Sequence, residues 1–210
     1  MTGTVTVTYD GHMWELFNTG GRITNVIAAT GGPYEAALLA DVASRVRGGR
    51  AVDVGAQIGN HTLFFAVACE LDVSAFEPNP DNHQRLVDNL RLNRLDTVDV
   101  HHVALSDRPG RATPAPKGKL TVGSGPVEVA TLDSYHLDDV TVVKVDVEGM
   151  EGKVLAGAAD TLTRCRPVVY CEAWSSSDHD GIARVLEPLG YRRTATIGRP
   201  GWAPNERWER

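Results

Sequence analysis

Cysteine is scarce in this chain: Cys69, Cys165 and Cys171 are the three among 210 residues, an odd number with no C-x-x-C spacing. That excludes a disulfide-built scaffold and offers no thiolate metal or redox motif. The three fall in segments that read as a buried helix, its end and a strand, so they are expected as reduced core residues. Runs of lysine and arginine are also missing, and the formal net charge is −6. An electrostatic footprint for nucleic acid is therefore absent, and no nucleic-acid partner is expected. No apolar stretch is long enough to cross a bilayer, and the opening MTGTVTVTYDGHM lacks the basic region and apolar core of an export signal. These absences predict no membrane association and a cytoplasmic location.

What is present has the rhythm of an α/β domain. The length suits a single domain, residues 1–210, with an N-terminal hairpin or extension over 1–32 and a core over 33–210. Residues 4–8 alternate with valine, and Asp10-Gly11 is a turn signal before Met13, Trp14, Leu16 and Phe17, so a hairpin is expected. Apolar spacing predicts helices over 33–46, 60–70, 81–92, 152–163 and 180–189. Strands are predicted after 50, then over 71–76, 98–105, 140–147 and 168–172. Strand and helix in alternation imply a mostly parallel central sheet with helices on both faces. The stretch 106–127, rich in proline and glycine, is too long for a plain connection. It reads either as a lid or binding loop or as a surface excursion with a small hairpin. Arg111, Lys117 and Lys119 give it local positive charge that would attract an acidic acceptor.

The segment AVDVGAQIGNHT, residues 51–62, is a strand that ends on an acid, turns through two glycines and enters a helix at Asn60. Such a turn builds a nucleotide-cofactor site, and Glu77 in VSAFEPN, at the tip of the next strand, is placed to hold a ribose. A dinucleotide site needs glycine where Gln57 and Asn60 stand. The looser D-x-G-x-G-x-G of S-adenosylmethionine enzymes fits better, with Asp53, Gly55 and Gly59 in place and Gln57 at the middle glycine. Further on, VTVVKVDVEGMEGKVLAGA ends a second buried strand in Asp146, Glu148 and Glu151. With AFEPNPDNHQRLVDNLRLN, VALSD, TLDSY and RPVVYCEA, these blocks resemble the FkbM-type family of class I S-adenosylmethionine-dependent methyltransferases across residues 34–173.

The resemblance implies a Rossmann-like fold with a last antiparallel strand, S-adenosylmethionine as cofactor, and O-methylation of a hydroxyl on a sugar or specialised metabolite. Asp53 is then expected to help hold the cofactor's amino end, while Gly59, Asn60 and Thr62 face its carboxylate at a helix N-terminus. Gly55, Ala56 and Gln57 form the turn, and Glu77, Pro78 and Asn79 the ribose side. Ala104 and Leu105 would lie against adenine with Asp107 at its edge, and Tyr34-Glu35 would approach the methionyl end. Asp146 and Glu148, two apart on an extended segment, share a side with Lys144. Asp146 is expected beside the methionine or the acceptor, with Glu148 or His61 as base, and Lys144 as neutraliser of these acids or partner of Glu172.

Alternatives accompany these expectations. The acids could merely cap the following helix, or Asp146, Glu148 and Glu151 could collect a divalent cation, which is not favoured. His101 and His102 alternate across a strand without zinc spacing. Trp202 and Trp208 read as acceptor-pocket lining, a homo-oligomer contact, or the packing of a last antiparallel strand. Rival classes are a nicotinamide oxidoreductase on a related sheet and a non-catalytic S-adenosylmethionine-binding protein.

Overall fold

The computed structural model describes residues 3–114, 120–198 and 204–210. The chain opens with a hairpin, β1 (Thr4–Tyr9) and β2 (His12–Phe17), whose turn residues Asp10 and Gly11 both have positive φ, 46° and 82°. Helices α1 (Arg22–Thr30) and α2 (Ala36–Arg45) follow. Helix α1 is an addition to the sequence expectation: it buries only Thr24 and Ile27, too few positions to announce a period.

Then comes the alternating core: β3 (Arg50–Val54), α3 (Asn60–Val67), β4 (Asp72–Phe76), α4 (Pro80–Leu92) and β5 (Asp99–His101). Helix α4 starts where Asn79 caps the amides of Asp81 and Asn82 and Pro80 occupies the first turn. The second half runs β10 (Val140–Val145), α5 (Glu151–Ala156), α6 (Ala159–Cys165), β11 (Val168–Glu172), α7 (Ser176–Leu186), β12 (Arg192–Ile197) and β13 (Asn205–Glu209), with β6 to β9 lying between β5 and β10. The single helix expected over 152–163 is broken in two at Gly157-Ala158. There the chain presses so close to Ser106 that a Cβ on Gly157 would lie 2.0 Å from its carbonyl oxygen.

Among the described residues, seven strands form the central sheet in the order β12-β13-β11-β10-β3-β4-β5. The five strands from β11 to β5 are parallel, and β13 pairs antiparallel with both β11 and β12. One face is covered by α2, α3, α4 and the hairpin around Leu39, Phe64, Phe65 and Trp14; the other by α5, α6 and α7 around Leu155, Leu162, Ile182 and Trp208. Asn89 on α4 and Asn93 at its C-cap fasten the hairpin to this core: Asn89 accepts from Phe17 N, and Asn93 accepts from Glu15 N and donates to Glu15 O.

The strand expected over 98–105 is two strands. Beyond His101 the chain leaves the main sheet, and β6 (Ala104–Leu105) joins a second one with β9 (Val127–Ala130), β7 (Gly110–Pro114) and β8 (Leu120–Val122). The 106–127 stretch is thus a hairpin-bearing excursion; Lys117 and Lys119 lie outside the described residues. Trp202 also falls outside them. Trp208 on β13 is buried, its indole donating to Glu206, so it belongs to the packing of the antiparallel strand. No helix among the described residues is long and apolar enough to cross a membrane.

Candidate active site

Sheet order reverses between β3, which leads outward to β4 and β5, and β10, which leads to β11 on the other side. In an open α/β sheet a crevice forms above the carboxyl ends of the strands at such a point. Here it is a cavity of about 510 Å³, within the range of small-molecule sites. Its walls come from the β3–α3 turn, the end of β4, β6, the end of β10 and the end of β11.

The turn after β3 carries three left-handed residues in alternation, Gly55 (φ 81°), Gln57 (φ 52°) and Gly59 (φ 93°). A Cβ on Gly55 would lie 1.9 Å from the Asp146 carbonyl oxygen, so only glycine lets β3 and β10 meet there. At Gly59 the added carbon would press on Leu86 at 2.7 Å. Gln57 meets no such wall; its side chain is exposed and bears only the backbone strain. That is the physical reason the middle glycine is dispensable.

Glu77 lies just past β4 and is buried, its two oxygens accepting from Gln57 N and Asn79 N, both at 2.8 Å. Burial raises its carboxyl above the ordinary value, against the pull of the two amides. A carboxylate has about four lone-pair sites, so each oxygen keeps one for a further donor. Beside it Val103, Ala104, Leu105 and Phe76 supply a buried apolar wall, with Phe76 stacked on His101 at 4.6 Å. Pro78, Asn79, Ala56 and Asn60 complete this half of the cavity.

Asp53 and Lys144 are partners in register on β3 and β10, so their side chains emerge together on the α3 face. The Lys144 ammonium, 2% exposed, stands 3.5 Å from Asp53 Oδ1 and 3.5 Å from Asp146 Oδ2, and donates to Gly55 O at 3.3 Å. Burial opposes its charge, but Asp146, Asp53, Glu35 and Glu172 together raise its pKa well above the usual lysine value. Asp53 also accepts from the Thr62 hydroxyl at 2.6 Å. Asp53, Gly59 and Thr62 do not line the cavity; they brace its floor from below.

The other carboxylates divide. Asp146 lines the cavity with a side chain 31% exposed. Glu148 is exposed at the rim, and its backbone turns left-handed at φ 58°, so the two-residue alternation that was to align it with Asp146 stops at the strand end. Glu151 turns back and accepts from the amides of Val147 and Gly149 at 3.2 Å each, bracing the turn that leads into its own helix. The three acids are therefore not gathered, and among the described residues no group of three His, Cys, Asp or Glu side chains could hold a metal ion. Asp107 is exposed, bonded by Ser106 Oγ, and lies off the cavity wall.

His61 is 6% exposed, with Nε2 at 3.1 Å from Glu35 Oε2 but poorly aligned for a hydrogen bond. Glu35 also accepts from Asn205 at 3.2 Å; burial pushes its carboxyl up, yet His61, Lys144 and Asn205 outweigh this and bring it down to about 2. Asn60 anchors this side: its amide accepts from Tyr34 N at 3.1 Å and donates to Tyr34 O at 3.0 Å.

Sequence reasoning did not include Glu172 among the site residues. It ends β11 on the same face as Lys144, lines the cavity, and accepts from the Trp174 indole at 2.7 Å. Its signal was the one used for Asp146, an acid at the end of a buried parallel strand.

Residues 53–193 match the model of the methyltransferase FkbM domain, two thirds of the chain. The chain belongs to the FkbM methyltransferase family. Curated relatives include the hexuronic acid methyltransferase AglP of Haloferax volcanii, 33% identical over 146 residues that cover 64% of this chain and 59% of that protein. Another is the 2-O-methyltransferase NoeI of Sinorhizobium fredii, 27% identical over 161 residues, 62% of this chain and 65% of that one. The matches thus span less than two thirds of the length of either relative. Among solved structures, a methyltransferase FkbM from Methylobacillus flagellatus superposes with a TM-score of 0.61 at 22% identity, over 77% of this chain and 43% of that one. This similarity supports the Rossmann-like fold of the FkbM chain.

Proposed function

We propose that this FkbM-family chain is an S-adenosylmethionine-dependent methyltransferase whose acceptor is a hydroxyl on a sugar or a specialised metabolite. The observation that carries the reading is Glu77, buried at the cavity edge with both oxygens fixed by backbone amides and lone pairs left for two ribose hydroxyls. Family membership supports it, as do the relatives AglP, a hexuronic acid methyltransferase, and NoeI, a 2-O-methyltransferase.

The residues present fit the methyl donor. The apolar wall of Ala104 and Leu105 suits an adenine, Glu77 a ribose, and the N-terminus of α3 at Asn60 and His61 a carboxylate. Glu35 and Asp146 suit the cationic amino and sulfonium end. When bound, the donor supplies an electrophilic methyl group to a nucleophile held in line with it. Gly55, Ala56 and Gln57 shape the backbone around it. Asp53, Lys144 and Thr62 act below, tying β3 to β10 and to α3. Asn60 holds Tyr34 and Glu35 against the crevice, and His61 orients the Glu35 carboxylate. The main contribution of such a site is positioning.

Incubation with isotopically labelled methyl donor and a panel of hydroxylated glycosides and metabolites tests the reading. Label transferred to a hydroxyl, together with a rise in melting temperature with S-adenosylmethionine and none with NAD, is the expected result. Donor binding without transfer to any hydroxyl would leave a binding protein, and stabilisation by NAD an oxidoreductase.

A further inference from the structure

The ends of β10 and β11 bring two acids together, and the roles above leave one of them, Glu172, without a task. In register, Val145 pairs with Cys171, so the next residues, Asp146 and Glu172, stand side by side at the cavity. Glu172 is 9% exposed, and its carboxyl lies within hydrogen-bonding reach of Asp146. Its other fixed neighbour is Trp174, whose Nε1 donates to Oε2 at 2.7 Å while 57% of the residue is exposed at the cavity mouth. Facing this pair are Lys144 on β10, Glu35 before α2, and, across from Glu172 on β13, Asn205.

We propose that Glu172, paired with Asp146 and oriented by Trp174, is the base that takes the acceptor's hydroxyl proton, and that the exposed face of Trp174 seats the acceptor ring. The proposal rests on O-methyl transfer as the activity. Glu172 takes the proton while the acceptor oxygen forms its bond to the methyl carbon, and the donor's sulfur keeps the electron pair of the S–C bond that breaks.

Three features favour this acid over the others on the wall. Glu77 is committed to two backbone amides, Glu35 is held ionised and weakly basic at about 2, and Glu148 is an exposed side chain at the rim. Glu172, by contrast, is pushed up to about 8, by burial first and then by the charge and hydrogen bond of Asp146, against the Trp174 indole. A base near operating pH is the efficient one. Below that pH the protonated carboxyl donates to Asp146 and cannot accept, so the rate should rise with pH through this region.

The test uses the full chain, the labelled methyl donor, and methyl glycosides of neutral hexoses and hexuronic acids as acceptor probes. On a probe the wild type methylates, Glu172→Gln should lower kcat by about 10²–10⁴-fold, with donor affinity by calorimetry kept within about threefold and the rising limb near pH 8 abolished. Trp174→Phe, which keeps the ring and removes the donor, should move that limb to higher pH. A probe with an acidic phenol in place of the alcohol should lose far less in Glu172→Gln. Unchanged kcat in Glu172→Gln, or a limb that persists in it, overturns the assignment while leaving methyl transfer intact. A wild type that methylates no hydroxyl overturns the underlying reading as well. Independently of any acceptor, carbon-13 NMR of glutamate-labelled wild type should show one carboxyl titrating near pH 8; a spectrum with none above about pH 6 also refutes the role.

Discussion

Replacing Lys144 with methionine isolates what holds the floor of the crevice together. Its ammonium is buried and 3.5 Å from both Asp53 and Asp146, a separation at which each pair is worth roughly 4–5 kcal/mol at an effective dielectric near 20, before the cost of dehydrating the lysine. Asp146 is part exposed and can be rehydrated when the cation is gone. Asp53 is fully buried and cannot, and its Oδ1 has no hydrogen-bond donor in reach of good geometry. Removing one partner of a buried pair costs about 3–5 kcal/mol, most of it the stranded charge. Lys144→Met should therefore lower the unfolding free energy in urea at pH 7 by that amount, a large share of a domain total of about 5–15 kcal/mol. Adding Asp53→Asn removes the stranded charge while its carbonyl still accepts from Thr62. The double variant should regain at least half of the loss, and it carries the measurement if the single variant is poorly folded. Losses that simply add across the two substitutions would refute the coupling.

The effect of Glu172→Gln on stability should grow with pH. A carboxyl raised from 4.5 to about 8 penalises folding increasingly as pH climbs from its unfolded to its folded value, so the variant should gain on the order of 3 kcal/mol over wild type at pH 9 and almost nothing at pH 4; a difference flat across urea melts at the two pH values refutes this. Glu77→Gln replaces a charged acceptor of two hydroxyls, so calorimetry should show S-adenosylmethionine binding weakened about 10- to 100-fold, and an unchanged affinity would remove Glu77 from the ribose. Gln57→Gly relieves a left-handed residue at a cost in chain entropy, for a net gain of about 1 kcal/mol in thermal unfolding; a loss would mean that the exposed Gln57 side chain holds something.

Much of this architecture can be read from the sequence because local and tertiary preferences agree. The run that ends in Asp53 is apolar on both sides and so must be a buried parallel strand, and Asn79-Pro80 states where α4 begins. The failures lie where the two levels part. Helix α1 buries too little to show a period. The strand through Val98 and Leu105 looks continuous in hydrophobicity, yet it changes sheets at His102-Val103, a choice made by packing against β9. Alternation placed Glu148 beside Asp146 only on the assumption that the strand continued, and the left-handed backbone at Glu148 ended it. Lys144 as neutraliser was legible, since a lysine in VVKVD must find acids, whereas the identity of those acids depended on the β3–β10 register. Glu172 lay one strand further on, and no spacing in the sequence links it to Asp146.

The bare α-carbon of Gly55 has a consequence for how the two halves of the crevice relate. The turn proposed to hold the donor grows from one strand and Asp146 from its neighbour, and the two backbones touch through a place where any side chain would need to stand. Their separation is set by an omitted methyl group rather than by an adjustable contact. The molecule can thus vary the rim and the mouth of the site freely, while the gauge between its two chemical halves has one permitted setting.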